Sequence, residues 1–198
     1  DTATGTDTDT GTATDTDTDT SKDPHTTIAL RMDAGLGAAF RMAPQVMPTI
    51  TIGVAAKLKR FTLRMSGTGG WRSTPVDATG YPNASASYRW LTARAQGCID
   101  IVHQAPFELA GCIGFEVGSL NVAAHNIVNA TASSRLWLAP QLGLRSHVRL
   151  GQSRWHALAQ FGIAAPIIRD RYQFQPATTI AQTAAITVAV DFGAAVHF

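Results

Sequence analysis

The sequence of this 198-residue chain predicts an all-β fold, an eight-stranded antiparallel up-and-down transmembrane β-barrel that follows a disordered Thr/Asp-rich tether. Three observations lead to this prediction. Apolar and polar residues alternate through eight separate runs, long and short connections alternate between the runs, and large aromatic residues collect at both ends of them. A period of two is typical of a strand with one apolar and one polar face.

The composition is compatible with strands that cross a membrane. The chain is 45% hydrophobic and 15% charged, its mean hydropathy is +0.02, and it contains no run of about 18 apolar residues that would predict a transmembrane helix. A transmembrane β-strand needs only about 9 to 11 residues, and its alternation lowers the average hydropathy. The periodicity is therefore more informative than the average.

Residues 1–26 form the first predicted unit. Residues 1–20 place Thr at every even position, with only Asp, Ala or Gly between, so no large apolar side chain is available to form a core. Seven of the fourteen acidic residues lie before residue 27, against one basic residue, Lys22. Such a segment cannot offset the entropy cost of ordering, and we interpret it as a flexible acidic linker.

Residues 27–198 form the second unit, which is basic and contains the strands. The first four strands are predicted at residues 28–41, 50–59, 61–66 and 87–99. Each has large apolar or small side chains at alternate positions. In chain order the outward positions are Ile28, Leu30, Met32 and Leu36; Ile50, Ile52, Val54 and Leu58; Phe61, Leu63 and Met65; and Leu91, Ala93 and Ala95.

The remaining four strands are predicted at residues 107–117, 136–149, 155–167 and 186–198. They show the same alternation. Their outward positions are Phe107, Leu109, Ile113, Phe115 and Val117; Leu136, Leu138, Leu142 and Leu144; Trp155, Ala157, Ala159, Phe161 and Ile163; and Ile186, Val188, Val190, Phe192, Val196 and Phe198.

The connections between these strands alternate in length. Longer ones fall at about residues 42–48, 69–86, 120–134 and 169–182, and shorter ones at residues 59–60, 103–106 and 151–154. An up-and-down barrel with long loops at one end and short turns at the other is typical of outer membranes. An even strand number places both ends of the barrel at the short-turn side.

Aromatic residues predict two belts at the membrane interfaces, where rings favour the headgroup level. A soluble barrel such as a lipocalin would place its large rings mainly inside. One predicted belt consists of Phe61, Phe107, Trp155 and Phe198, and the opposite belt of Trp71, Tyr88, Trp90, Trp137 and Tyr172.

On this pattern, residues 28–198 resemble the small eight-stranded outer-membrane β-barrels of Gram-negative bacteria. Residues 183–198 resemble the C-terminal strand, with its final Phe, that the barrel assembly machinery of those bacteria recognises. The resemblance implies a bacterial outer-membrane location with both termini in the periplasm. It further implies contact with outer-membrane lipid and lipopolysaccharide. We expect a monomer without cofactor, metal or nucleic-acid partner.

The resemblance does not select one activity. We favour a non-enzymatic membrane anchor or structural protein, with the tether leading to something upstream, and a lumen plugged by a charged side-chain network. Two alternatives stay open: a surface-binding module that uses the long extracellular loops, and a soluble lipocalin-like ligand carrier. An apolar belt outside a charged lumen would support the anchor, and a dry apolar cavity would support the carrier.

Charged residues on the polar faces of the strands predict this lumen network. An eight-stranded barrel is just wide enough for its interior to be filled by side chains. The predicted network consists of Arg31, Asp33, Lys57, Arg64, Arg94, Glu108, Glu116, Arg145, His147, Arg149, Asp191 and His197.

Two cysteines, Cys98 and Cys112, also face inward by their parity. If the fourth and fifth strands pair residues whose numbers sum to about 210, these cysteines lie opposite each other and Arg94 lies opposite Glu116. A periplasmic location favours a disulfide, and the alternative is a pair of free thiols.

No spacing in the sequence identifies a catalytic group. A lipid-modifying enzyme would need a nucleophile grouped with a base, and His125, with Ser119, Ser133 and Ser134, falls in one long connection without a linked acid. Five arginines near the predicted outer rim could pair with lipopolysaccharide phosphates. They are Arg72, Arg89, Arg135, Arg169 and Arg171.

Overall fold

The computed structural model describes residues 28–42, 45–75, 83–126, 132–168, 171–174, 178–182 and 184–198. For residues 171–174 and 178–182 only the backbone is described. The predicted linker at residues 1–26 lies outside the described residues.

The described residues form ten strands. Eight of them build one closed barrel, as the sequence predicts, and β8 and β9 form a separate two-stranded sheet. The strands are β1 (Ala29–Phe40), β2 (Met47–Leu58), β3 (Phe61–Pro75), β4 (Ser85–Gln104), β5 (Phe107–His125), β6 (Ser133–Arg149), β7 (Trp155–Ala164), β8 (Arg171–Phe174), β9 (Thr178–Gln182) and β10 (Thr187–His197).

Each barrel strand pairs antiparallel with its neighbours in the order β1-β10-β7-β6-β5-β4-β3-β2. The ring closes because β1 pairs with β2 on one side and with β10 on the other. At this seam Arg31 lies opposite His197 and Phe40 opposite Val188. Closure gives every barrel strand two hydrogen-bonded neighbours, so the barrel has no free edge.

The two ends of the barrel differ as predicted. Short turns join β2 to β3, β4 to β5 and β6 to β7, and the start of β1 and the end of β10 lie at the same end, which we call the short-turn end. The other connections leave the opposite, long-loop end. The β8–β9 hairpin belongs to the last of them, where the sequence predicted only a loop. Strands β3, β4 and β5 extend further towards the long-loop end than predicted.

The alternation in sequence becomes an apolar wall and a largely polar interior. Large side chains on the wall, such as Ile52, Leu63, Ile113, Leu142 and Phe192, are each more than 60% exposed. An exposed apolar surface of this extent is a liability in water and marks an interaction surface. Within the described ranges, no helix is both long enough and apolar enough to span a membrane.

The aromatic belt at the short-turn end has the predicted positions. Phe61, Phe107, Trp155 and Phe198 are all exposed there. At the long-loop end the prediction was wrong for three residues, Tyr88, Trp90 and Trp137, which are at most 2% exposed and lie inside the barrel. Trp71 does lie on the wall, and Tyr172 belongs to β8, where only the backbone is described.

The three misassigned rings lie inside the barrel because of their position in the strand alternation. On β4, Tyr88 and Trp90 have the same parity as the buried Thr92 and Arg94, and on β6 Trp137 has the parity of the buried Gln141. Together with smaller apolar residues these rings fill the long-loop half of the interior, and Trp90 meets Trp137 edge to face at 5.9 Å between centroids. This cluster of Tyr88, Trp90, Trp137, Met47 and Leu120 is called the aromatic plug below.

Candidate functional site

The centre of the barrel interior is organised around one carboxylate. Asp33 on β1 receives hydrogen bonds from both Nε and Nη2 of Arg64 on β3, the first at 3.1 Å, and a third from Nη2 of Arg145 on β6 at 2.6 Å. Arg64 also donates to Ser66 and to Gln96. The three charged side chains are at most 3% exposed. Charged groups at this depth need partners of this kind.

A glycine allows Arg64 to reach across the interior. Gly53 on β2 lies between Asp33 on β1 and Ser66 on β3 in the strand register. A Cβ atom on Gly53 would lie 2.8 Å from Nη2 of Arg64. The missing side chain therefore provides the space over which the guanidinium group lies.

A second group of charges lies closer to the short-turn end. Glu108 on β5 accepts from Arg31 at 3.2 Å and from Lys57 at 3.3 Å, and Lys57 lies 2.8 Å from Asp100. His103 approaches Glu108 at 3.3 Å from an exposed position. The sequence did not predict Asp100 as part of the network, because the fourth strand was predicted to end at residue 99. In the structure β4 continues to Gln104, with a register irregularity between Asp100 and Val102.

Two further acidic side chains are buried on the long-loop side of the centre. Glu116 pairs with Arg94 at 2.6 Å and accepts from the indole of Trp137 at 3.0 Å, which joins the charged region to the aromatic plug. Asp191 accepts from the hydroxyl groups of Thr49 and Thr51, each at 3.4 Å.

The interior charges balance among the residues that the structure describes. Five basic and five acidic side chains face inward; they are Arg31, Lys57, Arg64, Arg94, Arg145, Asp33, Asp100, Glu108, Glu116 and Asp191. The predicted network contained more bases than acids because it included Arg149 and omitted Asp100. Arg149 is exposed at the short-turn end and donates to the carbonyl groups of Ser153 and Gln152, so its placement in the lumen network was wrong.

Three histidines lie together on the short-turn side of Asp33, where His147 is opposite Glu108 and His197 is opposite Arg31 in the strand register. His156 stacks on His197 with ring centroids 3.9 Å apart, and His147 meets His156 edge to face at 6.2 Å. His147 and His156 are almost fully buried. The predicted lumen network included His147 and His197 but left out His156, although His156 has the same inward parity on β7 as the buried Gln160.

Cys98 and Cys112 lie directly opposite each other on β4 and β5 and are joined by a disulfide. Both side chains are buried inside the barrel. In the same register Arg94 lies opposite Glu116. The bridge thus ties the β4–β5 hairpin together near its short turn.

Three of the five predicted rim arginines have described side chains. Arg72, Arg89 and Arg135 are exposed at the long-loop end, and Arg72 donates to Gln45 at 2.7 Å. Arg89 lies opposite Trp71 in the β3–β4 register. Arg169 lies outside the described residues, and for Arg171 only the backbone, in β8, is described.

One exposed contact brings a possible nucleophile to a possible base. The hydroxyl of Ser87 lies 2.9 Å from Nε2 of His125 at the long-loop end, where the sequence drew attention to His125 with other serines. In the part of the chain that the structure describes, no carboxylate contacts His125 to orient its ring, as a catalytic triad requires. The described residues also contain no group of three or more His, Cys, Asp or Glu side chains that could hold a metal ion.

Solved structures with the same architecture are bacterial outer-membrane proteins. The chain is similar to Neisserial surface protein A, with 8% identity and a TM-score of 0.58 over 86% of this chain and 97% of that one. It is similar to a major outer membrane protein from Thermus thermophilus, with 12% identity and a TM-score of 0.59 over 87% and 100%. It is also similar to Ail of Yersinia pestis, solved with the heparin analogue sucrose octasulfate, with 8% identity and a TM-score of 0.55 over 86% and 97%.

The fold is therefore that of the small eight-stranded outer-membrane β-barrels. No protein-family model matches the sequence, and no curated protein matches it either.

Proposed function

We propose that this chain is a non-enzymatic anchor or structural barrel of the bacterial outer membrane whose lumen is plugged by its own side chains. The observation that carries the proposal is the contrast between the two faces of the closed barrel. The wall exposes large apolar side chains along its height, while the interior holds paired charges and the aromatic plug. Lipid outside and a filled polar lumen inside are the environments that this contrast suits.

The interior chemistry favours an anchor over the alternative of a soluble ligand carrier. A carrier of the lipocalin type keeps a cavity for its ligand inside the barrel. Here Arg64, Asp33 and Arg145 cross the centre, and Tyr88, Trp90 and Trp137 fill the space on the long-loop side. If the protein were a soluble carrier, its wall would moreover expose Leu63 and Ile113 to water.

The same proposal assigns an orientation. The short-turn end would face the periplasm, with both chain termini and the acidic segment at residues 1–26, and the long connections would face outwards. The barrel would function as a monomer, since the ring is complete within one chain. Insertion would depend on the barrel assembly machinery of the outer membrane.

Reconstitution tests both membrane insertion and sealing. We expect the full chain, refolded into lipid vesicles, to migrate differently on gels before and after heating.

In planar bilayers we expect no stepwise conductance. A double variant, Trp90→Ala with Trp137→Ala, removes the two largest rings of the aromatic plug and should introduce conductance, and Leu136→Ala on the wall is its matched control. Regular conductance steps from the unaltered chain would contradict the plug, and a chain that stays soluble and monomeric without detergent would contradict the membrane location.

A second candidate function is contact with lipopolysaccharide at the long-loop end. It is supported by Arg89, which is exposed opposite the exposed Trp71, so a guanidinium group and an indole ring share one strip of the wall. Arg72 and Arg135 are exposed at the same end. Guanidinium groups pair with phosphates through two parallel hydrogen bonds, and indole rings favour the headgroup level.

This second function is tested by neutralising the described arginines. The triple variant Arg72→Gln, Arg89→Gln and Arg135→Gln is expected to bind lipopolysaccharide vesicles at least tenfold more weakly than the unaltered chain. Lys59→Gln with Arg60→Gln, at the opposite end, is the control and should bind normally. Unchanged binding by the triple variant would rule the contact out.

A further inference from the structure

A cavity of about 330 Å³ opens at the mouth of the barrel, at the short-turn end. The turn between β4 and β5, the turn between β6 and β7, and the end of β10 form its walls. Its polar lining consists of His103, Glu108, Arg149, Ser153, Arg154, His156 and His197. Its lining shares Glu108 with the second group of charges, but it includes none of the central side chains Asp33, Arg64 and Arg145 and no residue of the aromatic plug.

The charge of this lining favours an anion. Arg149 and Arg154 are exposed, and neither forms an ion pair with any residue that the structure describes. Arg149 uses Nε and Nη2 for turn carbonyl groups, which leaves Nη1 for a ligand. Glu108 is the one acidic side chain in the lining, and Arg31 and Lys57 already neutralise it from the interior side.

Two histidines of the lining have unpaired ring nitrogens just beneath the cavity surface. His156 is more than nine-tenths buried, and its Nδ1 has no hydrogen-bond partner; Nε2 of His197, stacked upon it, has none either. Buried polar groups in folded proteins are nearly always paired, and an unpaired one calls for a specific explanation. A ring N–H beside two guanidinium groups is a suitable donor to an oxyanion.

We propose that this cavity is a binding site for a phosphate group. Phosphate oxygens would accept from the guanidinium groups of Arg149 and Arg154 and from a ring N–H of His156 or His197, because guanidinium donors match the spacing of phosphate oxygens. The cavity volume exceeds that of inorganic phosphate, so a small organic substituent also fits. The phosphate could come from a free anion or from a phospholipid headgroup, since Phe107 and Trp155 place the interface belt at the same rim.

Calorimetric titration with inorganic phosphate tests the site. The full chain is refolded in a non-ionic detergent, and ionic strength is held constant with chloride. We expect saturable binding that weakens at least tenfold in the double variant Arg149→Gln with Arg154→Gln. The matched control, Lys59→Gln with Arg60→Gln, removes two exposed basic residues at the same end that do not line the cavity, and it should bind within twofold of the unaltered chain. Heat-dependent gel migration verifies that each variant is folded.

The role of the histidines needs a readout of its own. Nitrogen NMR of the imidazole side chains should show phosphate-dependent shifts at His156 and His197, and a His156→Phe variant, which keeps a stacked ring, should bind phosphate at least threefold more weakly. Absence of saturable binding beyond that of chloride, or equal losses in the Arg149/Arg154 and Lys59/Arg60 double variants, would overturn the proposal. Short-chain phosphatidylglycerol identifies the source: if it displaces phosphate the ligand is a lipid headgroup, and if it does not the ligand is a free anion.

Discussion

The carboxylate of Asp33 and the guanidinium group of Arg64 face each other in a two-point contact at the centre of the barrel, and both are essentially inaccessible to water. Asp33 is also the only partner of Arg145 among the ion pairs of the described residues. One acidic group thus compensates two buried basic groups that come from strands on different sides of the barrel. The stability of the barrel should depend strongly on it.

Replacing this carboxylate by an amide is the most direct test. Asp33→Asn keeps the size of the side chain and leaves Arg64 and Arg145 as uncompensated buried charges, which should lower the free energy of unfolding by about 3 to 5 kcal/mol. The measurement is urea unfolding in lipid vesicles, followed by tryptophan fluorescence. Arg72→Gln, at an exposed position, should change the value by less than about 0.5 kcal/mol. A loss below about 1 kcal/mol for Asp33→Asn would contradict the central role of this residue.

The disulfide between Cys98 and Cys112 should stabilise the β4–β5 hairpin. It closes a loop with a sequence separation of 14 residues, for which the chain-entropy model gives about 3 kcal/mol. We expect the double variant Cys98→Ser with Cys112→Ser to be destabilised by about that amount. Mass spectrometry after alkylation, without and with a reductant, checks that the bridge forms. Two alkylated thiols in the unreduced, unfolded protein would show that it does not.

Gly118 and Gly97 provide a matched pair for testing how closely β4 and β5 approach. A Cβ atom on Gly118 would collide with the backbone of Leu91 and Thr92, whereas one on Gly97 would have no atom within 4 Å. Gly118→Ala should therefore cost about 1 to 3 kcal/mol, or prevent folding, since a backbone neighbour cannot move aside. Gly97→Ala should stay within about 1 kcal/mol of the unaltered chain, since alanine suits a strand at least as well as glycine. Equal effects in urea unfolding would argue against this register.

A charge on the wall should cost more in the middle of the membrane than at its edge. A tilted strand needs roughly 10 residues to cross the membrane. Counted from Phe107 at the rim, Ile113 lies near the middle of these residues. Ile113→Lys should lower the unfolding free energy in vesicles by about 2 to 4 kcal/mol, and Val148→Lys, at the rim, by about 0 to 1 kcal/mol. The measurement is again urea unfolding in vesicles, and equally small losses for the two variants would refute a wall that faces lipid.

Much of the fold was predictable because side chains of every barrel strand alternate between the outward and the inward face. Residues such as Ile50, Ile52 and Val54 alternate with Thr51 and Gly53, and this parity predicts both the strand and its outward face. The short turns were predictable from the places where the alternation stops. The β8–β9 hairpin was missed because its strands are only 4 and 5 residues long and do not belong to the barrel.

The interior was predicted less completely. Tyr88, Trp90 and Trp137 were assigned to a belt from their position along the strands, although their parity with buried neighbours places them inside. Arg149 has the inward parity and lies opposite the buried His156, but its side chain is exposed at the barrel mouth and donates to turn carbonyl groups. Asp100 has the inward parity of Cys98 and was missed because the fourth strand was predicted to end at residue 99; the register of β4 changes only after Asp100.

The seam between β1 and β10 sets an order on folding. Its register joins Arg31 to His197 and Leu36 to Phe192, so the first and last barrel strands can meet only after nearly the whole barrel sequence has been made. Until then β1 and β7 each present an open row of backbone donors and acceptors, and such edges pair readily with other chains. Contacts so distant in sequence also form slowly. A chain of this design needs to be kept apart from its copies until its last strand is in place.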